Sequence, residues 1–163
     1  MHRSVYENQR FWFQLLQTNN NMSNSPLTIL HIEDDHVDKM VIERVIKRQN
    51  ITNNLLHASN GEEALELLRG QNGKTKPEAM PNVILLDINM PKMNGLEFLR
   101  ELRSDPELKP ISVFIMTTSN DDADREEAYR HNVAGYILKP VDISQFETTF
   151  QILANFWRIC EWA

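Results

Sequence analysis

Cysteine is almost absent from this sequence, since Cys160 is the only one among 163 residues. A single thiol excludes an intramolecular disulfide and a cysteine-based zinc cluster, and it fits a reducing environment. Long apolar runs are missing too, because none approaches the roughly 20 residues of a membrane-spanning helix. The apolar run at residues 11–16 is short and interrupted, so it is a poor signal-peptide core. We expect a cytoplasmic protein with no membrane partner.

Positive charge is also in short supply. The chain has 17 lysines and arginines against 23 aspartates and glutamates, which gives a net charge of −6. Such a chain has too little basic surface to neutralise many phosphates, so we expect no nucleic-acid partner. Its length suits one domain with one core.

From residue 27 onward, strand patterns and helix patterns alternate regularly. Such an alternation predicts an α/β fold with a doubly wound, five-stranded parallel sheet, helices on both faces and right-handed crossovers. A polar insert at residues 70–81 reads as a loop. The predicted strands are residues 28–32, 53–58, 83–86, 111–116 and 136–138, and the predicted helices are residues 37–48, a helix after Gly61, 95–103, 122–131 and 142 to about 159.

Residues 1–25 form a separate N-terminal extension in this interpretation, and residues 26–163 form the domain. A polar linker rich in asparagine occupies residues 18–26, and this composition has little capacity to form a core. Three interpretations of the extension are open. It is a disordered or artificially added segment, it is a helix docked on the domain or on a partner, or the natural chain starts at Met22.

Polar side chains follow four of the five predicted strands. Glu33 and Asp34 follow the first, Asp87 the third, Thr117 ends the fourth and Lys139 follows the fifth. Each has an ordinary alternative, such as a solvated loop or a surface lysine. Because the carboxyl ends of parallel strands share one edge, which is where open α/β sheets bind ligands, we expect these residues to converge.

Carboxylates brought together in this way repel one another, by about 4 kcal/mol for two unit charges about 4 Å apart at an effective dielectric near 20. A hard cation such as Mg²⁺, Mn²⁺ or Ca²⁺ offsets that repulsion, and Mg²⁺ leaves room for a phosphate oxygen. We expect ligands from Glu33 or Asp34, from Asp87, and from the backbone carbonyl of Asn89. Asp87 then suits the role of a carboxylate nucleophile that forms an aspartyl phosphate, with Lys139 and the metal offsetting phosphoryl charge.

These residues resemble the receiver domain of two-component response regulators. The pattern Asp-x-x-Met-Pro-x-Met-x-Gly, which starts at Asp87, is highly specific for that family. Matching stretches lie at residues 29–35, 86–96, 116–119 and 135–140, and the resemblance covers about residues 27–158. It implies a flavodoxin-like (βα)5 receiver fold.

The resemblance assigns a role to each residue at the predicted edge. It implies that Asp87 is the phosphoacceptor and that Glu33 and Asp34 form the metal-binding pair, with Mg²⁺ as the cofactor. The other implied roles are those of a switch hydroxyl, a switch aromatic and a phosphate-binding cation, carried by Thr117, Tyr136 and Lys139.

The resemblance also implies partners. A histidine kinase or histidine phosphotransfer protein donates the phosphoryl group. The domain is a signalling module rather than an enzyme with a separate substrate, although it catalyses part of its own phosphorylation and dephosphorylation. The insert at residues 70–81, the run at 117–119 and the pair at 156–157 resemble a stand-alone, single-domain subgroup. Some members of that subgroup act with phytochrome-type kinases, and some form dimers.

Three local features carry further expectations. Asn89 and Ser119 would flank the path of an attacking water; both are small and neutral, with no carboxylate to orient that water, so we expect slow to moderate self-dephosphorylation. The resemblance implies a cis peptide bond between Lys139 and Pro140, an isomer found essentially only before proline. We interpret His31, in the middle of the first strand, as a buried neutral histidine with a hydrogen-bond partner.

The last predicted helix has more apolar surface than one buried face requires. Two interpretations are open: fraying or cover within the chain, including cover by residues 11–16, or an interface with a downstream protein or a second copy. Because no output domain follows residue 163, we expect output through protein contact. The expected core stripe is Ile143, Phe146, Phe150, Leu153 and Trp157, and the second stripe is Ile152, Phe156 and Ile159, with Trp162 nearby.

Other function classes fit less well. A phosphatase of the haloacid-dehalogenase type needs a second aspartate two residues after the nucleophile, where Asn89 stands. A dinucleotide-binding domain needs a glycine-rich turn after the first strand, where this chain is acidic. The remaining alternative is a docking receiver that is never phosphorylated. That class usually lacks the acceptor or the lysine, and both Asp87 and Lys139 are present.

Overall fold

The structure is a computed structural model that describes residues 27–49, 54–140, 142–158 and 160. The N-terminal extension, Ile159 and Trp162 lie outside the described residues. Five strands alternate with five helices, as predicted, and their bounds differ from the predicted ones by a residue or two. The strands are β1 (Thr28–Ile32), β2 (Asn54–Ala58), β3 (Val83–Leu86), β4 (Ser112–Thr117) and β5 (Gly135–Leu138), and the helices are α1 (His36–Gln49), α2 (Gly61–Arg69), α3 (Gly95–Ser104), α4 (Asp122–Arg130) and α5 (Ile143–Arg158).

All five strands join one parallel sheet in the order β2-β1-β3-β4-β5. Ile29 of β1 pairs with Val83 of β3, and Val83 pairs in turn with Ser112 of β4. The order reverses between β1 and β3, so the crevice at their carboxyl ends is the topological switch point, where such sheets bind ligands. The predicted doubly wound, flavodoxin-like architecture is confirmed.

The two faces of the sheet build two apolar layers, because successive strand residues point to opposite faces. Leu30 and Ile84 face a layer covered by α2, α3 and α4. Ile29 and Val83 face the layer covered by α1 and α5. Strands buried on both faces read as continuous apolar runs, which is why they stood out in the sequence.

In two helices, part of the apolar surface is buried against the sheet and part is exposed. On α1, Val41, Ile42, Val45 and Ile46 are buried, but Val37 and Met40, which the helical period placed on the same stripe, are about half exposed. They lie in the first turn and a half, near the carboxyl edge of the sheet. On α5, the core stripe is buried at Phe146, Phe150, Leu153 and Trp157, and the second stripe is exposed at Ile152 and Phe156.

Candidate functional site

The acidic residues meet at the switch point between β1 and β3. Hydrogen bonds continue the parallel ladder past the strand ends, from the Asp87 N–H to the Ile32 carbonyl (3.1 Å) and from the Glu33 N–H to the Ala58 carbonyl (3.0 Å). This pairing fixes the backbone on which Glu33 and Asp87 stand. Carboxylate oxygens of Glu33, Asp34 and Asp87 lie within 4.8 Å of one another. Glu33 and Asp87 are buried, whereas Asp34 is exposed.

Lys139 lies among these carboxylates. Its ammonium Nζ is 2.6 Å from Glu33 Oε2, 2.8 Å from Asp38 Oδ2 and 3.7 Å from Asp87 Oδ2. The expected cis bond after Lys139 is wrong, because the structure has a trans peptide between Lys139 and Pro140. The Lys139 N–H donates to the Thr117 carbonyl at 2.8 Å, which extends the β4–β5 ladder and brings the side chain to the carboxylates without a cis bond.

Burial and charge shift the proton affinities of this cluster. Burial raises the pKa of Glu33 to about 7, even though the ammonium of Lys139 acts in the opposite direction. Burial by itself lowers the pKa of Lys139, but the charges of Glu33 and Asp87 and the hydrogen bonds to Asp38 and Glu33 more than offset this, so that the pKa lies above its ordinary value. Lys139 is therefore a fixed cation at the site.

The loop after Asp87 is held close to the start of α3. The Asp87 carboxylate accepts the Ile88 N–H at 2.8 Å, and the Gly95 N–H donates to the Ile88 carbonyl at 2.9 Å. A Cβ on Gly95 would collide with the Asp87 carbonyl oxygen and lie 2.9 Å from the Ile88 Cα. Only glycine allows this approach. The glycine of the sequence pattern thus fixes the backbone of the aspartate.

Thr117 and Tyr136 both contact the short segment that follows β4. Thr117 is fully buried, and its Oγ1 accepts the Ser119 N–H at 3.2 Å. The Tyr136 hydroxyl donates to the Ser119 carbonyl at 3.0 Å, and the Arg125 guanidinium lies 5.5 Å from the centre of the Tyr136 ring. The structure thus connects the two predicted switch residues through Ser119.

The carboxylate of Asp124, which the sequence interpretation did not include, lies near both Asn89 and Ser119. Asn89 lines an open cleft of about 480 Å³ together with Asn94, Leu96 and Asp124. Ser119 Oγ donates to Asp124 Oδ2 at 2.7 Å. Neither side chain carries a carboxylate itself, but Ser119 is bonded to one that comes from the first turn of α4. The sequence interpretation considered only the loops after β3 and β4.

His31 is buried beside this site on β1. Burial, followed by the positive charges of neighbouring groups, lowers the pKa of His31 well below its ordinary value, so the ring is neutral as predicted. In the described part of the chain, the predicted hydrogen-bond partner is not seen at Nδ1. The other ring nitrogen of His31, Nε2, is 3.9 Å from Glu33 Oε2. Its nearest ring is that of His57 on β2, with centroids 5.4 Å apart.

Sequence reasoning missed two residues of the site. Asp38 contacts Lys139, and Asp124 contacts Ser119. Both lie in the first turns of helices, where acidic residues are common because they complement the helix dipole. Their position in the first turn of the helix that follows a strand was a usable signal, since that turn lies at the carboxyl edge of the sheet.

The residues present fit a divalent cation. They offer hard oxygen ligands from two buried carboxylates and one exposed one, the set that suits Mg²⁺ or Mn²⁺ rather than zinc. Among the residues that the structure describes, these three are the group of acidic, histidine or cysteine side chains that could hold a metal. Of the helices within that part of the chain, none has the length and apolar character to cross a membrane.

Comparison with known proteins defines the class. The family model of the response regulator receiver domain matches residues 29–151. The response regulator Rcp1 of Synechocystis sp. is 34% identical over 135 residues, which are 83% of this chain and 91% of Rcp1. The probable methanogenesis regulatory protein FilR2 of Methanothrix harundinacea is 31% identical over 81% of this chain and 84% of its own. The chain belongs to the family of response regulator receiver domains, which act in two-component signalling.

Solved structures agree with that assignment. The Mn²⁺-bound form of Rcp1 matches with a TM-score of 0.77 and 30% identity, over 85% of this chain and 99% of that one. The phosphorylated cyanobacterial phytochrome response regulator RcpA matches with a TM-score of 0.77 and 31% identity, over 83% of this chain and 96% of its own. The predicted resemblance to phytochrome-associated response regulators is confirmed.

Proposed function

We propose that Asp87 is the phosphoacceptor of a single-domain response regulator in a two-component phosphorelay. The observation that carries the proposal is the buried arrangement of Lys139 between Glu33 and Asp87 at the carboxyl edge of the sheet. In the step we propose, an Asp87 carboxylate oxygen forms a bond to phosphorus, and the bond from phosphorus to a histidine nitrogen of the donor breaks. Lys139 offsets the negative charge that the phosphoryl oxygens bring.

Glu33, Asp34 and Asp87, with the backbone carbonyl of Asn89, are the proposed ligands for Mg²⁺. When bound, the cation would offset charge on the phosphoryl oxygens. The metal-bound Rcp1 structure contains Mn²⁺, and an all-oxygen ligand set suits either cation. We propose Mg²⁺ because it takes few protein carboxylates and leaves room for a phosphate oxygen. The chain's own chemistry is then limited to its phosphorylation and dephosphorylation, with no separate substrate.

The proposed donor is a histidine kinase or a histidine phosphotransfer protein in the cytoplasm. Because RcpA is a phytochrome response regulator, a phytochrome-type kinase is the donor class to test first. We propose that phosphorylation draws Thr117 toward the phosphoryl oxygens, that Tyr136 responds, and that a downstream protein reads the change. The exposed apolar pair Ile152 and Phe156 supports output by protein contact, including contact between two copies, and we propose no nucleic-acid or membrane partner.

The test is phosphorylation by acetyl phosphate with Mg²⁺, followed by intact mass. The wild type should gain the mass of one phosphoryl group, and Asp87→Asn, which keeps the size of the side chain but removes the nucleophile, should gain none. Lys139→Met should be labelled more slowly, because the cation beside the acceptor is lost. If the wild type stays unlabelled under conditions that label a control receiver domain, the phosphoacceptor assignment is wrong.

A further inference from the structure

The Ser119 hydroxyl is oriented by a carboxylate. A carboxylate can only accept a hydrogen bond, so the single hydroxyl proton of Ser119 is committed to Asp124 at 2.7 Å. The backbone of Ser119 is held as well, through its N–H on Thr117 and its carbonyl on Tyr136. The Asp121 N–H approaches Ser119 Oγ at 3.4 Å. Oγ therefore keeps acceptor capacity and has no proton left to donate.

The resemblance to receiver domains places Ser119 beside the path of water that attacks a phosphoryl group on Asp87. In hydrolysis of an aspartyl phosphate, water attacks phosphorus from the side opposite the Asp87 oxygen, which is the side that faces solvent. Ile88 and Asn89, which directly follow Asp87, line an open cleft together with Asp124, and Ser119 is bonded to Asp124. A water in line for attack can donate a hydrogen bond to the Ser119 oxygen.

We propose that Asp124 is a positioning residue for dephosphorylation, which acts by holding Ser119 as a hydrogen-bond acceptor for the attacking water. The inference rests on the proposed function of Asp87. In the step, the water oxygen bonds to phosphorus while the bond between phosphorus and the Asp87 oxygen breaks, and its electron pair stays on the carboxylate. Both water protons leave with the phosphate, which then equilibrates with solvent. Asp124 and Ser119 are unchanged at the end.

The same arrangement does not help phosphorylation. When acetyl phosphate is the donor, the position taken by water in hydrolysis is taken by the departing acetate oxygen, which is negatively charged and has no proton to donate. An acceptor at Ser119 therefore gives it no stabilisation. The inference predicts that changes at Asp124 and Ser119 separate the two rates, whereas a general disturbance of the site would lower both.

The experiment labels each protein with acetyl phosphate and Mg²⁺, removes the donor, and follows loss of the phosphoryl group by intact mass. We expect Asp124→Ala and Ser119→Ala each to slow the loss by roughly fivefold, the value of one hydrogen bond. The double variant should be no slower than the single ones, and the initial labelling rate should not fall. Asp124→Asn keeps an acceptor oxygen and should stay near the wild-type rate.

Asp122→Ala is the matched control. It removes the same charge from the same turn of α4, but Asp122 pairs with Arg125 and not with Ser119. Loss of phosphate at the wild-type rate in both Asp124→Ala and Ser119→Ala would overturn the inference and leave the proposed function intact. Equal slowing by Asp122→Ala would also overturn it, in favour of a helix-charge effect. An unlabelled wild type would overturn both.

Discussion

At the scale of single residues, the site contains a buried histidine, His31, whose burial makes the folded state less stable at acidic pH. Its pKa lies well below 6.5 in the folded chain, whereas in the unfolded chain it is near 6.5. Below that value the unfolded state binds a proton that the folded state does not, so the contribution of His31 to stability is complete above pH 6.5 and is lost as the pH falls from there toward the folded pKa.

We therefore expect the free energy of unfolding to fall by about 1 kcal/mol through His31 alone between pH 6.5 and 5.5. Urea unfolding of the wild type and of His31→Leu at both pH values measures this. The contribution of His31 is the difference between the two proteins in how much the free energy of unfolding changes between pH 6.5 and 5.5. The comparison is needed because the pKa of Glu33, which is raised to about 7, makes stability change with the opposite sign over the same pH range. An equal change in the free energy of unfolding in the two proteins would contradict the prediction.

At the scale of elements, Arg103 connects α3 to the segment before β4 and to the segment between α4 and β5. Its Nε donates to the His131 carbonyl at 2.8 Å, Nη1 to the carbonyls of Lys109 (2.8 Å) and Ile111 (3.0 Å), and Nη2 to that of Asn132 (3.2 Å). Burial lowers the pKa of Arg103, and a guanidinium remains charged even so. One side chain thus donates hydrogen bonds to four backbone carbonyls that lie outside the helices and strands.

Replacing Arg103 by Met should lower the free energy of urea unfolding by about 2–3 kcal/mol, because two part-buried carbonyls, those of His131 and Ile111, lose a charged donor. Arg103→Lys should recover part of the loss, since an ammonium keeps the charge but lacks the planar fork. Arg100→Met is the control on the same helix. Arg100 pairs with Glu127 near the surface, and such a change is typically within about 0.5 kcal/mol. A loss at Arg103 no larger than at Arg100 would show that the four bonds add nothing.

The elements themselves were predictable because each strand is a short apolar run between turn signals. The convergence of Glu33, Asp87 and Lys139 followed from the parallel sheet alone, since its strand ends share one edge. Asp38, Arg103 and Asp124 were not found. Their partners lie on other elements, and a charged residue on a helix has the same local appearance whether it faces solvent or a neighbouring loop. Side-chain direction across elements is a tertiary property that periodicity does not encode.

At the scale of the whole molecule, the well-packed faces of the sheet compensate for a carboxyl edge whose clustered negative charges oppose folding. The layers on both faces are apolar, while the carboxyl edge concentrates Glu33, Asp34 and Asp87 within a few ångströms in a chain of net charge −6. Like charges at this distance oppose folding, and Lys139 compensates only part of the excess. The fold therefore tolerates at its edge a charge cluster that a cation can relieve.

This arrangement predicts that stability and metal binding change in opposite directions at Asp34. Without metal, Asp34→Asn should be at least as stable as the wild type, because one repelling charge is removed from the edge. At about 100 times the dissociation constant, Mg²⁺ should raise the free energy of unfolding of the wild type by about 2.7 kcal/mol, and Asp34→Asn should lose most of that gain. Urea unfolding with and without Mg²⁺ measures both effects.

Asp35→Asn is the matched control, since it removes the same charge from the next residue. The Asp35 carboxylate caps α1 by accepting the N–H groups of Val37 (2.8 Å) and Asp38 (3.0 Å). An asparagine oxygen preserves that role. A full wild-type gain in stability on adding Mg²⁺ to Asp34→Asn would show that Asp34 is not a metal ligand. An equal loss of that gain in Asp34→Asn and Asp35→Asn would show that net charge alone causes the effect.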